Sequence, residues 1–304
     1  MRHTILLMIA ALAIASCTKE NTSGTAAQLQ FQFKFDPNQA RLNNVGQPAT
    51  LPPTHAAQTP EFRAMSVHYI ELAQKAATQL GDGAVVFQAP ETDKGGENAV
   101  DFDKAATAGQ NEIFTKINLK DVPPGTYEWV RASVTYQSYD IKFNIGKISG
   151  VGNLPQQKGT VASFVGFNTY ITSIKPREQT LTVNDDKKQG FWAVETNLSA
   201  PYQSYNKIYS GAAPAGATTV VNPLFSSSPI PAGSCVVTGK FAKPLVVTGK
   251  EETDITVTLS FSINQSFEWV DVNGNSQLDL YADGQTVSEK IVDMGLRGLI
   301  PSWQ

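Results

Sequence analysis

From Leu29 the chain alternates strictly: Leu29, Phe31, Phe33 and Phe35 are apolar, while Gln30, Gln32 and Lys34 between them are polar. A period of two sends one set of side chains to a buried face and the other to water, so this segment predicts a half-buried strand, ended by Asp36-Pro37. Ile255, Val257, Leu259, Phe261 and Ile263 repeat the pattern near the other end. Met65–Leu72, Ala84–Gln88, Ile113–Leu119, Tyr127–Tyr136 and Asp140–Ile145 read as further strands, set apart by breaks such as Leu51-Pro-Pro53, Gly81-Asp-Gly83 and Gly95-Gly96. A hairpin is expected over Thr180–Thr196, with Asn184–Lys188 at its tip, followed by a loop over Tyr202–Pro231. The pentapeptide Val-Val-Thr-Gly-Lys occurs at 236–240 and again at 246–250, which suggests two neighbouring strand ends with similar turns. Only Glu71–Leu80 has the composition of a short helix. The expected fold class is all-β.

Gly146–Gly159 has no sustained period and is rich in Gly, Pro, Gln and Lys. It marks an expected break between two β-sandwich-like domains, 29–148 and 159–304. Leu119-Lys-Asp-Val-Pro-Pro-Gly-Thr-Tyr127 turns sharply at Pro124-Gly125 between two strands. The unit resembles prealbumin-like and other Greek-key sandwich domains of secreted bacterial proteins, which supports the fold class.

The first residues differ in kind. Arg2 precedes an apolar run from Ile5 to Ala15, and then come Ser16 and Cys17. A basic start, about ten apolar residues and small residues at the cut describe a secretory signal, too short to span a bilayer. Ile14-Ala15-Ser16-Cys17 resembles the lipobox of bacterial lipoproteins. That resemblance implies removal of residues 1–16 and acylation of Cys17, which then begins a polar, disordered tether over 17–28. Lys19-Glu20 resembles the short signal that sends Bacteroidetes lipoproteins to the outside of the outer membrane. Together these features resemble surface lipoproteins of Bacteroidetes and imply a lipid-anchored place at the cell outer membrane.

Composition narrows the chemistry. A net charge of −3 argues against nucleic acid, whose binding needs a basic surface. There are two cysteines, so a lipidated Cys17 leaves Cys235 without a partner in the chain; its strand-like surroundings suggest a buried, inert thiol. Three histidines, His3 among them in the signal, leave a multi-histidine zinc site or a Ser-His-Asp triad poorly supplied. The acidic run Glu91, Asp93, Glu97, Asp101 and Asp103 reads as a solvated loop. Glu128 and Glu268 each lie in an aromatic-Glu-Trp-Val context, and Glu128 is expected to share a face with apolar neighbours.

One constellation stands out. Asp271, Asn273, Asn275 and Asp279 occupy relative positions 1, 3, 5 and 9 of a short loop, with the carbonyl of Gln277 at position 7. Oxygen donors on alternate residues of a tight loop are what Ca²⁺ requires. The run resembles an EF-hand or dockerin-type calcium loop. It differs in having Ser276 where glycine is usual and Ala282 at the place of the bidentate acid, with Asp283 expected to substitute. A plain Asn273-Gly274 hairpin is the alternative. Tyr202, Tyr205 and Tyr209 lie in the expected loop and offer flat faces to a ligand. The reading is a non-enzymatic module that binds a glycan or protein, with calcium as a structural ion. A structural or adhesive subunit of a surface assembly is the alternative, and a carboxylate-dependent glycoside hydrolase stands third.

Overall fold

The computed structural model describes residues 26–76, 78–213 and 235–304. Cys17, the expected signal segment, the expected tether before Ala26 and part of the expected 202–231 loop lie outside these residues. Among them, strands β1–β19, numbered in chain order, form four sheets. The only helical elements among the described residues are three-residue 3₁₀ turns at 102–104, 119–121 and 203–205. The molecule is all-β, as its alternation predicts, and the described residues of Glu71–Leu80 hold the end of a strand and turns in place of a helix.

The first sheet contains β1 (Gln28–Asp36), β7 (Ile113–Asn118), β15 (Ile255–Ser262) and β19 (Leu299–Trp303). β1 pairs in parallel with β15, Leu29 opposite Ile255 through Asp36 opposite Ser262, so the two strongest alternating segments of the sequence lie side by side. Their inward side chains are those the period selects: Leu29, Phe31, Phe33, Val257, Leu259 and Phe261 are fully buried.

They pack against the largest sheet, in the order β13 (Ile208–Ala212), β12 (Phe191–Asn197), β9 (Gly152–Phe164), β8 (Gly125–Ile148), β3 (Glu61–Ala73) and β4 (Ala84–Gln88). β14 (Cys235–Val247) and β17 (Asp279–Tyr281) also pair with β8. β8 merges the two expected strands at 127–136 and 140–145. Opposite β3 it carries an extra residue, Thr135, because Ser66 faces Tyr136 while Val67 faces Val134. Such a bulge shifts the side-chain parity. Before it, even positions Val130, Ala132 and Val134 fill the sandwich core; after it, odd positions Tyr139, Ile141 and Phe143 fill a second core.

Residues 146–159 are not an irregular break. They form the turn and arms of the β8–β9 hairpin, with Ile145 opposite Leu154 and Ile148 opposite Gly152. Strands from both sides of this point share the first sandwich core, which runs from Leu29 to Leu299. The expected 180–196 hairpin is also absent. β11 (Leu181–Lys187) pairs with β10 (Thr169–Ile174), in a small sheet completed by β6 (Ala99–Asp101) and β5 (Glu91–Thr92), whereas β12 joins the large sheet. Both copies of the repeated pentapeptide begin within the single irregular strand β14, not at the ends of two strands. A short last sheet joins β2 (His55–Gln58), β16 (Phe267–Val270) and β18 (Ile291–Met294).

Candidate functional site

β16 delivers the chain into the loop that begins at Asp271, whose backbone N–H donates to the Thr54 carbonyl at 3.1 Å. The Asp271 carboxylate then accepts from two loop N–H groups, Gly274 at 2.8 Å and Ser276 at 2.9 Å. Asn273 Oδ1 accepts from Asn275 N–H at 3.0 Å, and Asn275 Oδ1 from Gln277 N–H at 2.7 Å. Both Asn side chains turn their Nδ2 groups to one atom, Asp279 Oδ2, at 2.6 and 2.8 Å. Four of the expected residues therefore converge. Ser276, at the position where the pattern favours glycine, adopts φ of 58°, the left-handed conformation a glycine would supply.

The expected role of Gln277 falls to its backbone carbonyl, and its side chain and Asp283 are held elsewhere. The Gln277 side chain is held by Asn144 Nδ2 at 2.9 Å and Gln156 Nε2 at 3.2 Å. Asp283 faces its own turn, accepting from Gln285 N–H, Thr286 N–H and the Thr286 hydroxyl, with the Lys147 ammonium 3.8 Å away. The acid that closes the loop is Glu289, which the sequence reading missed. It is buried, and its two oxygens accept from Val272 N–H and Asp279 N–H, both at 2.9 Å. Burial pushes the Asp279 carboxyl up, but the amides of Asn144, Asn273 and Asn275 outweigh it and hold it below the usual range. Among the described residues no three His, Cys, Asp or Glu side chains gather as a metal cage. The oxygen-rich set Asp271, Asn273, Asn275 and Asp279, closed by Glu289, has the donor chemistry of a hard cation such as Ca²⁺.

This loop positions one wall of a cleft. The floor is a single face of the large sheet: Gln137, Ile141, Phe143 and Ile145 from β8, Val161 and Ser163 from β9, Trp192 and Val194 from β12, and Tyr209 from β13. Phe267, Leu278, Leu280, Tyr281, Ile291 and Met294 stand opposite. Three contiguous compartments lie between them. The central one has a volume of about 580 Å³ and is lined almost wholly by apolar side chains. A smaller one of about 290 Å³ reaches Gln137, Cys235 and Asp293, sharing Trp192, Ile291 and Met294 with the centre. The third, about 340 Å³, is lined by Tyr202, Tyr205, Tyr209 and Lys207. The three expected tyrosines thus meet at one mouth of the cleft.

The wall is tied at both ends. At the loop end β17 pairs with β8, Asn144 N–H donates to the Leu278 carbonyl at 2.8 Å, and Tyr281 lies over Gly146. Any side chain at 146 would meet that ring, since a Cβ there would come within 2.8 Å of it. Midway, the Tyr139 hydroxyl donates to the Met294 carbonyl at 2.7 Å.

At the far end an ion cluster holds the wall. Glu268 Oε2 accepts from Arg41 Nη2 and Arg297 Nη2, each at 2.9 Å, while Oε1 lies 2.6 Å from His55 Nδ1. Arg297 also donates to Asp293 Oδ2 at 2.6 Å. Burial would raise the Glu268 carboxyl, but His55, Arg297 and Arg41 together hold it below its ordinary value. Asp293 goes the other way, because burial raises it more than Arg297 lowers it. Glu128, in the matching sequence context, is instead part exposed and lies 3.7 Å from Lys240. Arg41 and Arg297 carry no local sequence signal; only the fold gathers them.

Other candidates resolve simply. Burial pushes the Cys235 thiol up to about 12, which leaves it protonated and unreactive at neutral pH. From the acidic run, Glu91 binds His68 at 2.8 Å, and Asp103 accepts from the Thr172 hydroxyl at 2.6 Å. No protein-family model matches this chain, and neither a curated protein nor a solved structure is detectably similar to it.

Proposed function

We propose that this chain is a lipid-anchored envelope protein, held at the outer membrane through Cys17, whose β body binds a ligand in the cleft without transforming it. The observation that carries the reading is the central compartment. Its volume of about 580 Å³ falls within the roughly 300–1,000 Å³ typical of ligand sites, and its lining is predominantly apolar and aromatic as theirs is. A wall fastened at two ends by polar clusters suits recognition, since a preformed site costs less ordering on binding. The tyrosine mouth supplies ring faces for a sugar or an aromatic group at the entrance. Calcium in the 271–289 loop would fix one end of the wall; Asp271, Asn273, Asn275 and Asp279 would hold it, with Glu289 in place of Asp283.

The test uses a neutral apolar fluorophore, N-phenyl-1-naphthylamine, with the full chain carrying Cys17→Ser so that no detergent is needed. The expected result is saturable fluorescence enhancement at one probe per protein, lost in Val194→Trp, which fills the central compartment. Circular dichroism should show the same strand content in both proteins. Non-saturable enhancement, or equal binding by a folded Val194→Trp, would sink the cleft as the binding site.

A further inference from the structure

The small compartment ends on a group that the apolar cleft does not satisfy. Gln137 is fully buried, and neither its Oε1 nor its Nε2 has a hydrogen-bond partner. Gln157, equally hidden on the next strand, shows the ordinary arrangement: it donates to the Pro155 carbonyl at 2.8 Å and accepts from Ser199 N–H at 2.9 Å. A buried amide without partners forfeits its hydration and regains nothing. Gln137 lines the small compartment, but its two amide atoms are closed to water, so a ligand head would reach them only as the side chains covering them move aside.

Resting on the binding reading above, we infer that the cleft takes an elongated aliphatic molecule whose head is a neutral carboxylic acid or primary amide, paired with Gln137. An amide side chain offers one donor and one acceptor side by side. A carboxylic acid or primary amide answers both at once; an alcohol, a sulfonate or a bare hydrocarbon does not. Charge favours a neutral head as well. Asp293 lines the same compartment with its carboxyl already bound to Arg297, so this pair offers an anionic head no unpaired cation, and Lys290 is exposed at the rim. The body of the ligand follows from the floor. From Gln137 to Ile145 it runs eight residue steps along β8, about 26 Å at the roughly 3.3 Å rise of a strand. That length, walled by Ile141, Phe143, Trp192 and Met294, fits an extended chain more than a compact ring system.

The experiment displaces N-phenyl-1-naphthylamine from the Cys17→Ser full chain with three ten-carbon ligands at pH 4, where a simple carboxylic acid is mostly protonated: decanamide, decanoic acid and decanesulfonate. Decanamide and decanoic acid are expected to compete at least tenfold more tightly than decanesulfonate. Gln137→Met, close in volume and without the amide, should lose the preference among the three heads. Without ligand it should melt no lower than wild type, because it removes an unpaired buried group. Equal competition by all three heads, or a preference that survives in Gln137→Met, overturns the assignment of the head group while leaving the cleft as a binding site. Failure of the wild type to bind the fluorophore would instead remove the binding reading and this inference with it. Should Gln137→Met fail to fold, the head-group series in the wild type still decides the matter.

Discussion

Glu268 shows how one side chain can fasten distant parts of this chain. Its carboxylate, with the side chain only 7 % exposed, joins Arg41, His55 and Arg297. Removing one member of a buried, hydrogen-bonded charge cluster leaves the others desolvated and unpaired, at a cost of roughly 3–5 kcal/mol. Glu268→Ala is therefore expected to lower stability by about 3 kcal/mol, read from urea unfolding at pH 7. The sign with pH follows from the depressed carboxyl. Its contribution is present above the unfolded-state value near 4.3 and is lost as pH falls through the lower folded-state value. Asp293 is raised, so its term has the opposite slope: the folded state holds that proton more tightly, and this contribution fades as pH rises from the carboxylate range. The difference between wild type and Glu268→Ala should hence be largest near neutrality and shrink below about pH 4. A difference that is constant from pH 3 to 7 would contradict the charge argument.

At the scale of elements, the loop between β16 and β18 carries the sharpest expectation. A cation that binds only the folded state adds RT ln(1 + [L]/Kd), about 2.7 kcal/mol at a hundredfold excess over Kd. Tm should rise in millimolar calcium and fall with chelator, and Asp271→Ala should abolish the difference. Because Glu289 closes the loop and Asp283 faces its own turn, Glu289→Gln should weaken the calcium shift while Asp283→Asn leaves it unchanged. No calcium shift in the wild type would leave a hydrogen-bonded loop as the whole account. The same loop shows what a sequence exposes. Asp271, Asn273, Asn275 and Asp279 were legible because alternate oxygen donors at close spacing are a local pattern. Glu289, ten residues beyond Asp279, is placed by tertiary pairing and has no such spacing. β1 and β15 were legible because each buries one face. β11 was misjudged as half of a hairpin because its polar, part-exposed residues give no face to read, and its partner, β10, precedes it. Gln137 gave no warning at all: a glutamine in a strand is ordinary until the cleft behind it is known.

The whole molecule is woven from both ends of its sequence. β1 lies beside β15, and the second core brings Ala56 together with Phe267 and Trp269. Such non-local pairing makes a single body whose cleft wall belongs to the last forty residues and whose floor belongs to the middle of the chain. Among the described residues no helix is long and apolar enough to cross a bilayer, and the net charge of −3 supplies no general attraction to anionic lipid. The proposed attachment rests on acyl chains on Cys17, where each buried CH₂ would contribute roughly 0.8 kcal/mol and several chains would hold far more firmly than one. The wild-type protein is expected to sediment with outer membranes, to resist washing with 1 M salt as a hydrophobic attachment should (about 3 Å Debye length leaves surface ion pairs screened), and to be released by detergent. Cys17→Ala should either retain its signal segment or appear free in the soluble fraction, while still binding N-phenyl-1-naphthylamine once purified. A cleaved Cys17→Ala protein that still sediments with the outer membrane after the salt wash would show that the β body itself holds the membrane, and would move the search for the anchor from the N-terminus to the sheet surface.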